Sequence, residues 1–369
     1  MKNSSGLYIH IPFCIKKCAY CDFPSYSGCD EYFEKYIDAL LFETRKYRGE
    51  KIDTVFIGGG TPTVLSETLL EKLLAGINES FDILPEAEFS AEANPGTVTE
   101  EKLAILKSGG VNRLSIGVQS FDNKELEILG RIHDSQTALE TVEAAQRYFD
   151  NVNIDIMTAI PRQTEKSLMN TLKTAVATGV NHMSCYSLIV EEGTPFYSMY
   201  ENGTLFLCSE DEDREMFETL CSYMKNQGFE RYEISNFAKP GKRCRHNMKY
   251  WNTEDYIGIG AAAHSCVEGK RFYNTADLRK YIKQPGIPEE ITELSLSDRM
   301  GEYVMMALRT IDGVSFEEFR RRFGRSFTEV YFSQLEKLKN TDLVRINEHS
   351  FALTEKGFDV SNGIMCEFV

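Results

Sequence analysis

At 369 residues the chain is long enough for one large α/β domain with a smaller one appended, and its apolar content is that of a water-facing protein. No stretch approaches the roughly 20 apolar residues needed to span a bilayer. A formal net charge of −15 argues against a general nucleic-acid partner, whose affinity is dominated by basic phosphate contacts. The start, Met1-Lys-Asn-Ser-Ser-Gly, has no signal-peptide apolar region, so a cytoplasmic chain is expected, with its ten cysteines serving as thiols and metal ligands rather than disulfides.

The first strand, Tyr8-Ile-His-Ile, runs into Pro12-Phe-Cys14-Ile-Lys-Lys-Cys18-Ala-Tyr20-Cys21-Asp22-Phe23. Three thiolates on one loop hold three corners of a cubane iron–sulfur cluster, which normally has four cysteine ligands, and leave one iron open. An open coordination position separates catalytic metal sites from closed structural ones. A zinc knuckle would want paired Cys-x-x-Cys or matched histidines at finger spacing, and neither occurs. Cys14, Cys18 and Cys21 are therefore the metal candidates. The scattered Cys29, Cys185, Cys208, Cys221, Cys244, Cys266 and Cys366 read as small buried hydrophobes.

Beyond the loop, Glu31 to Arg48 carries apolar residues at helical spacing, with acids leading and bases trailing as the helix dipole favours. Thr54-Val-Phe-Ile-Gly58 is a buried strand ending in Gly58-Gly59-Gly60-Thr61-Pro62-Thr63, where missing Cβ atoms let backbone approach a ligand. A helix from Glu67 to Asn78, a strand at Glu88 to Glu92, and a helix opened by Thr99 follow. Then come strands Arg113 to Gln119, Val152 to Met157 and His182 to Val190, separated by helices Gln136 to Phe149 and Leu168 to Gly179. Alternation of this kind gives a parallel α/β domain, either an open doubly wound sheet or a barrel. The cysteine loop follows strand one, and polar or glycine-rich signals recur at later strand ends, the face where barrels place their ligand sites. Six units fall short of a closed eight-fold barrel, so the expectation is a partial (β/α)6 TIM-like barrel over residues 1–200.

From 201–290 the alternation loosens into a segment expected to extend the barrel, with a helix from Glu210 to Gln227 and the small apolar run Ile257-Gly-Ile-Gly-Ala-Ala-Ala-His264. Residues 291–369 read as a C-terminal winged-helix-like α+β domain. Its parts are helices Ser297 to Leu308, Ser315 to Phe323 and Phe327 to Leu338, then a hairpin through Asn347-Glu348-His349. Arg320, Arg321, Arg322 and Arg325 are expected on a solvated or partner-facing helix side rather than on DNA.

Cys14-x-x-x-Cys18-x-Tyr20-Cys21 resembles the signature of the radical S-adenosylmethionine (SAM) superfamily. There the open iron chelates the methionine end of SAM, and an electron from a [4Fe–4S] cluster cleaves the sulfonium. The resemblance implies SAM contacts at Tyr8, Tyr20, Gly59, Gly60, Thr61, Glu92, Gln119, Arg131 and Asp155, in family order. Over nearly its whole length the chain is similar to the branch around oxygen-independent coproporphyrinogen III dehydrogenase. The shared stretches include Arg-Leu-Ser-Ile-Gly-Val-Gln-Ser, Gly-Arg-Ile-His133, Glu191-Glu-Gly-Thr-Pro-Phe-Tyr197 and Tyr232-Glu-Ile-Ser-Asn-Phe-Ala.

Three features part the chain from that enzyme. Phe23 stands where the enzyme has a fourth cysteine, only seven residues precede Tyr8, and Arg245-His246-Asn-Met-Lys-Tyr250-Trp251 holds the His-Asn-x-x-Tyr pattern of HemW-type heme chaperones. Histidine and tyrosine are both known heme ligands, so the resemblance implies heme at His246 and Tyr250, and heme and apo-hemoproteins as partners. It leaves peripheral membrane association and a homodimer open. The alternative is the oxidative decarboxylation of coproporphyrinogen III in porphyrin biosynthesis, for which His10 is the catalytic candidate. Radical modification of another substrate, such as a tRNA, is disfavoured by the acidic charge. Thr158-Ala-Ile-Pro161-Arg162-Gln-Thr164 departs from the family's Tyr-Gly-Leu-Pro-Gly-Gln-Thr and puts a charged residue near the expected SAM pocket.

Overall fold

The computed structural model describes residues 4–369. Its centre is a run of parallel strands in sequence order: β1 (Ser5–Ile11), β2 (Lys51–Gly59), β3 (Asp82–Ala93), β4 (Arg113–Gln119), β5 (Val152–Thr158) and β6 (His182–Ser187). Successive side chains of a strand point to opposite faces. Leu7, Ile9, Ile11, Val55, Ile57, Leu114, Ile116, Ile154 and Ile156 share the apolar face of their strands and are buried, while His10, Ser115, Asn153 and Asp155 alternate with them on the other face. The flanking helices are started by side-chain caps. Ser66, Thr99, Asp122 and Thr164 each accept a backbone N–H from the first turn of the helix that follows β2, β3, β4 and β5. Caps of this kind are worth about 1 kcal/mol each, and they fix the strand-to-helix loops at the C-terminal face of the sheet.

Both edges of the parallel core are extended. β7 (Glu230–Arg231) and β8 (Asn236–Ala238) pair antiparallel beyond β6. On the other side β9 (Tyr256–Ile259) lies parallel to β1, followed by antiparallel β10 (His264–Val267), β11 (Lys270–Asn274) and β12 (Pro288–Glu293). The sequence reading names a barrel-extending segment over 201–290 but reads no strands over 256–293, in part because Gly and Ala in the 257–264 run carry little strand propensity. The small residues serve close approach instead. A Cβ on Gly258 would lie 2.1 Å from the His264 carbonyl oxygen, and one on Gly260 would lie 2.6 Å from the Tyr36 hydroxyl.

A second apolar cluster, including Tyr303, Val304, Phe319, Phe327, Phe351 and Phe368, sits apart from the barrel core. It is covered by the helices of residues 296–338 and by an antiparallel sheet of β13 (Val314–Ser315), β14 (Val344–Ile346) and β15 (Ser350–Leu353). The single helix expected from Phe327 to Leu338 is two, Phe327–Val330 and Phe332–Leu338, broken at Tyr331, whose backbone leaves the helical region at φ −110°, ψ 28°. Arg321 and Arg322 pair with Glu318, and Arg322 also donates to the Asn252 carbonyl. Among the described residues no helix is long and apolar enough to cross a membrane. Cys185, Cys244 and Cys266 are buried as expected; Cys29, Cys208 and Cys221 are half-buried and Cys366 is exposed. Those four lie in loops or on outward helix faces that the sequence spacing does not reveal.

Candidate functional site

The C-terminal ends of β1 to β5 converge on one cavity. Cys14, Cys18 and Cys21 line it from the loop after β1, Gly59, Gly60 and Thr61 from the end of β2, and Glu92 from β3. Gln119 and Arg131 line it from the end of β4 and the loop region beyond, Asp155 from β5, and Tyr20 from the cysteine loop itself. Cys14, Cys18 and Cys21 thus share one wall of the cavity, on the single loop after β1.

The glycine run is pressed against the cysteine loop. Gly60 N–H donates to the Ile11 carbonyl at 2.9 Å and Thr61 N–H to the Phe13 carbonyl at 2.7 Å. Gly59 has φ +105°, a left-handed value that side chains resist, and a Cβ there would lie 2.2 Å from the His10 ring. Thr61 also touches Cys14, its hydroxyl 3.5 Å from the sulfur.

Charge in the cavity is arranged around buried groups. Gly59 N–H donates to Glu92 Oε2 at 2.9 Å. Burial, and then the neighbouring Asp155, push the Glu92 carboxyl up to about 7. Burial raises Asp155 as well, against a 2.8 Å hydrogen bond from Asn153 Nδ2. Arg131 Nη1 donates to the Cys18 sulfur at 3.3 Å, and its Nη2 to the Asn94 side chain and, at 2.5 Å, to the Gly117 carbonyl. Thiols, two carboxylates that are costly to charge without a facing cation, and a guanidinium form a donor set that suits an iron–sulfur cluster beside a ligand with both cationic and anionic ends.

Among the cavity residues that the sequence reading does not assign, Asn94 and Tyr186 make the telling contacts. Asn94 Nδ2 donates to Thr61 Oγ1 at 2.6 Å while its oxygen accepts from Arg131, so it ties β2, β3 and the β4 loop together. The Tyr186 hydroxyl, from β6, donates to Gln119 Oε1 at 3.0 Å, and Gln119 is itself held at φ +70°. Both were findable as polar residues at the C-terminal ends of their strands.

Tyr8 does not line the thiol cavity. It faces a second, shallower cavity of about 280 Å³ together with His10, Phe23, Pro24, Tyr250, Tyr256 and His264. Period-two alternation puts Tyr8 and His10 on one face of β1, and the Tyr8 hydroxyl meets His10 Nδ1 at 2.9 Å. His10 Nε2 is 2.9 Å from the Pro24 carbonyl, so both nitrogens of the catalytic candidate are taken. Arg162 is exposed and does not line the thiol cavity either.

His246 and Tyr250 sit on a short helix, Arg245–Trp251, whose first N–H groups, of Arg245 and His246, donate to the Glu88 carboxylate at 3.0 Å each. The helical spacing brings the two side chains onto one side, with His246 Nε2 2.9 Å from the Tyr250 hydroxyl. His246 Nδ1 is 2.9 Å from the Thr54 hydroxyl on β2. Burial, and then Lys249, push the His246 imidazole down to about 3. A neutral imidazole with both nitrogens engaged offers no lone pair to iron in this arrangement. Tyr250 alone of the pair reaches a cavity, the one shared with Tyr8.

Residues 8–175 match the Radical SAM superfamily and residues 294–360 match the HemN C-terminal domain. The heme chaperone HemW of Bacillus subtilis is 39% identical over 98% of this chain and 98% of its own length. HemW of Lactococcus lactis is 35% identical over 100% and 98%, and HemW of Escherichia coli 35% identical over 85% of each. Among solved structures, coproporphyrinogen III oxidase (HemN) from Escherichia coli, a radical SAM enzyme, superposes with a TM-score of 0.86 over 99% of this chain and 90% of its own, at 22% identity. That likeness establishes the architecture, a partial barrel with a small C-terminal antiparallel sheet and helices.

Proposed function

Because the chain belongs to the HemW heme chaperone family within the radical SAM superfamily, we propose that it carries heme to apo-hemoproteins and uses the thiol cavity as its cluster and SAM site. Membership of the superfamily implies a [4Fe–4S] cluster and SAM. Cys14, Cys18 and Cys21 would hold the cluster. Gly59, Gly60 and Thr61 would meet the amino end of SAM with backbone groups, and Glu92 and Asp155 would face its cationic centres. Arg131, Gln119 and Tyr20 complete the lining. When bound, the cluster and SAM supply one-electron cleavage of a sulfonium. The chain's own part is positional: Arg131 donates to the Cys18 sulfur, Gly59 orients Glu92, and the raised Glu92 carboxyl takes or holds a proton near neutral pH.

The single observation that carries this reading is the gathering of three thiols and two half-buried carboxylates on one cavity of a chain whose full length aligns with heme chaperones. Phe23, 62% exposed beside that cavity, supplies no fourth thiol and speaks against the dehydrogenase. The test is anaerobic reconstitution followed by iron, sulfide and hemin quantitation, then transfer of bound hemin to an apo-hemoprotein read by its Soret band. Cluster binding with hemin transfer is expected. Vinyl product from coproporphyrinogen III, with reductant and SAM, would replace the carrier reading by the enzyme one. Peripheral membrane association and a homodimer extend the proposal, to be read by vesicle flotation and by sedimentation of the holoprotein.

A further inference from the structure

Heme iron needs an axial ligand with an uncommitted lone pair, from imidazole, thiolate or phenolate. The chain has six histidines. His10, His182 and His246 each have both ring nitrogens engaged inside the fold. His133 has Nε2 3.2 Å from the Val118 carbonyl and leaves Nδ1 without a partner among the described residues, but that nitrogen is buried and borders neither cavity described above. His349 is exposed at the tip of the β14–β15 hairpin and borders none of the cavities described above. His264 is different. It is exposed at the start of β10, its ring stacked on Tyr273 at 5.0 Å and 22°, and no hydrogen bond to its ring nitrogens is found among the described residues.

His264 stands at the mouth of the cavity that Tyr8, Phe23, Tyr250 and Tyr256 wall. No cysteine lines it, and its phenols are committed: Tyr8 to His10, Tyr250 to His246, Tyr256 to Arg271. The cavity is too small to enclose a porphyrin, but its exposed aromatic rims suit a planar macrocycle lying against the surface with one edge inserted. Phe23 also lines the thiol cavity, so the two cavities share a wall.

We propose that His264 is the axial ligand through which the chain holds heme iron, with the macrocycle seated against Phe23, Tyr250 and Tyr256. This rests on the heme-carrier reading. In it, His246 is a positioning residue that fixes the Tyr250 hydroxyl, and the open coordination chemistry belongs to β10. A ligand on an exposed strand end, rather than in the core, suits cargo that must leave again.

The test is hemin titration of the cluster-reconstituted full chain, read by the Soret band and by the low-temperature EPR signature of the ferric ligand set. His264→Ala is expected to lose the imidazole signature and at least about tenfold in hemin affinity. Added imidazole should restore the spectrum, and the melting temperature should be unchanged because no hydrogen bond is removed. His349→Ala should match the wild type. A His264→Ala protein that keeps the wild-type signature overturns the assignment and leaves the carrier reading standing. A wild type that forms no hemin complex at all overturns both.

Discussion

The cysteine loop and the Arg245–Trp251 helix both carry chelating residues at short spacing, and the fold treats them in opposite ways. The thiols of Cys14, Cys18 and Cys21 stand around a cavity, half-buried, with Thr61 beside Cys14 and Arg131 beside Cys18. The imidazole of His246 is 1% exposed and clasped between Thr54 and Tyr250. One motif holds its donors ready for something outside the chain; the other has given them to its neighbours. What separates a binding motif from a structural one is therefore whether its donors are already taken, which spacing along the chain does not disclose.

The largest expected effect breaks the open side of that comparison. Gly59→Ala puts a Cβ into the His10 ring at φ +105°, and should cost about 4 kcal/mol from steric clash and backbone strain together. A urea titration measures it. A loss below about 1 kcal/mol would mean that the β1–β2 contact relaxes freely and that the glycine run serves the ligand alone.

His246→Ala tests the closed side. It removes a buried ring and leaves the Thr54 and Tyr250 hydroxyls without that partner, so a loss of about 3 kcal/mol is expected. His264→Ala should change stability by less than about 0.5 kcal/mol. Equal losses at the two positions, measured by thermal melts at one pH, would erase the distinction between the motif and the exposed imidazole.

The sequence shows the parallel core well, because one face of each strand must be written with apolar residues at every second position. The strand read over Arg113 to Gln119 coincides with β4 at both ends. Most cavity residues were legible for a related reason: ligands of such a sheet gather at strand C-termini, and Glu92, Gln119 and Asp155 are polar residues at those ends. Tyr8 shares a face of β1 with His10 and lines the neighbouring cavity instead. The commitments of His246 were hidden, since Thr54 and Glu88 reach it across 192 and 158 positions of sequence. The β9–β12 extension is built from close backbone approach, which leaves only glycines as its mark.

Glu92→Gln sharpens the account of the cavity through pH. The Glu92 carboxyl is raised by burial and by Asp155 to about 7 in the folded chain, above its unfolded value of 4.5. The folded state therefore binds the extra proton, and stability is present below pH 4.5 and is lost as pH rises toward 7. In the cluster-free protein the substitution should add about 3 kcal/mol at pH 8 and almost nothing at pH 4.5. A gain independent of pH would assign the effect to packing rather than to the charge.

The smallest expected effect comes from the turn after β5, where two residues with side chains hold left-handed backbone. Ala159 and Arg162 hold φ of +58° and +67°, at the two positions where the family pattern has glycine. The left-handed conformation costs a side-chain-bearing residue about 1–2 kcal/mol, while glycine gives back about 0.4–1 kcal/mol through a freer unfolded chain. Arg162→Gly should therefore stabilise by about 0.5 kcal/mol, read as a shift of the urea midpoint at constant slope. Arg162→Ala is the discriminating control, since it removes the charge and keeps the Cβ. If alanine gives the same gain as glycine, the guanidinium and not the backbone is what strains the loop after β5. If only glycine does, the exposed Arg162 is held at that turn against its own backbone preference, and its charge acts toward solvent rather than toward the thiol cavity.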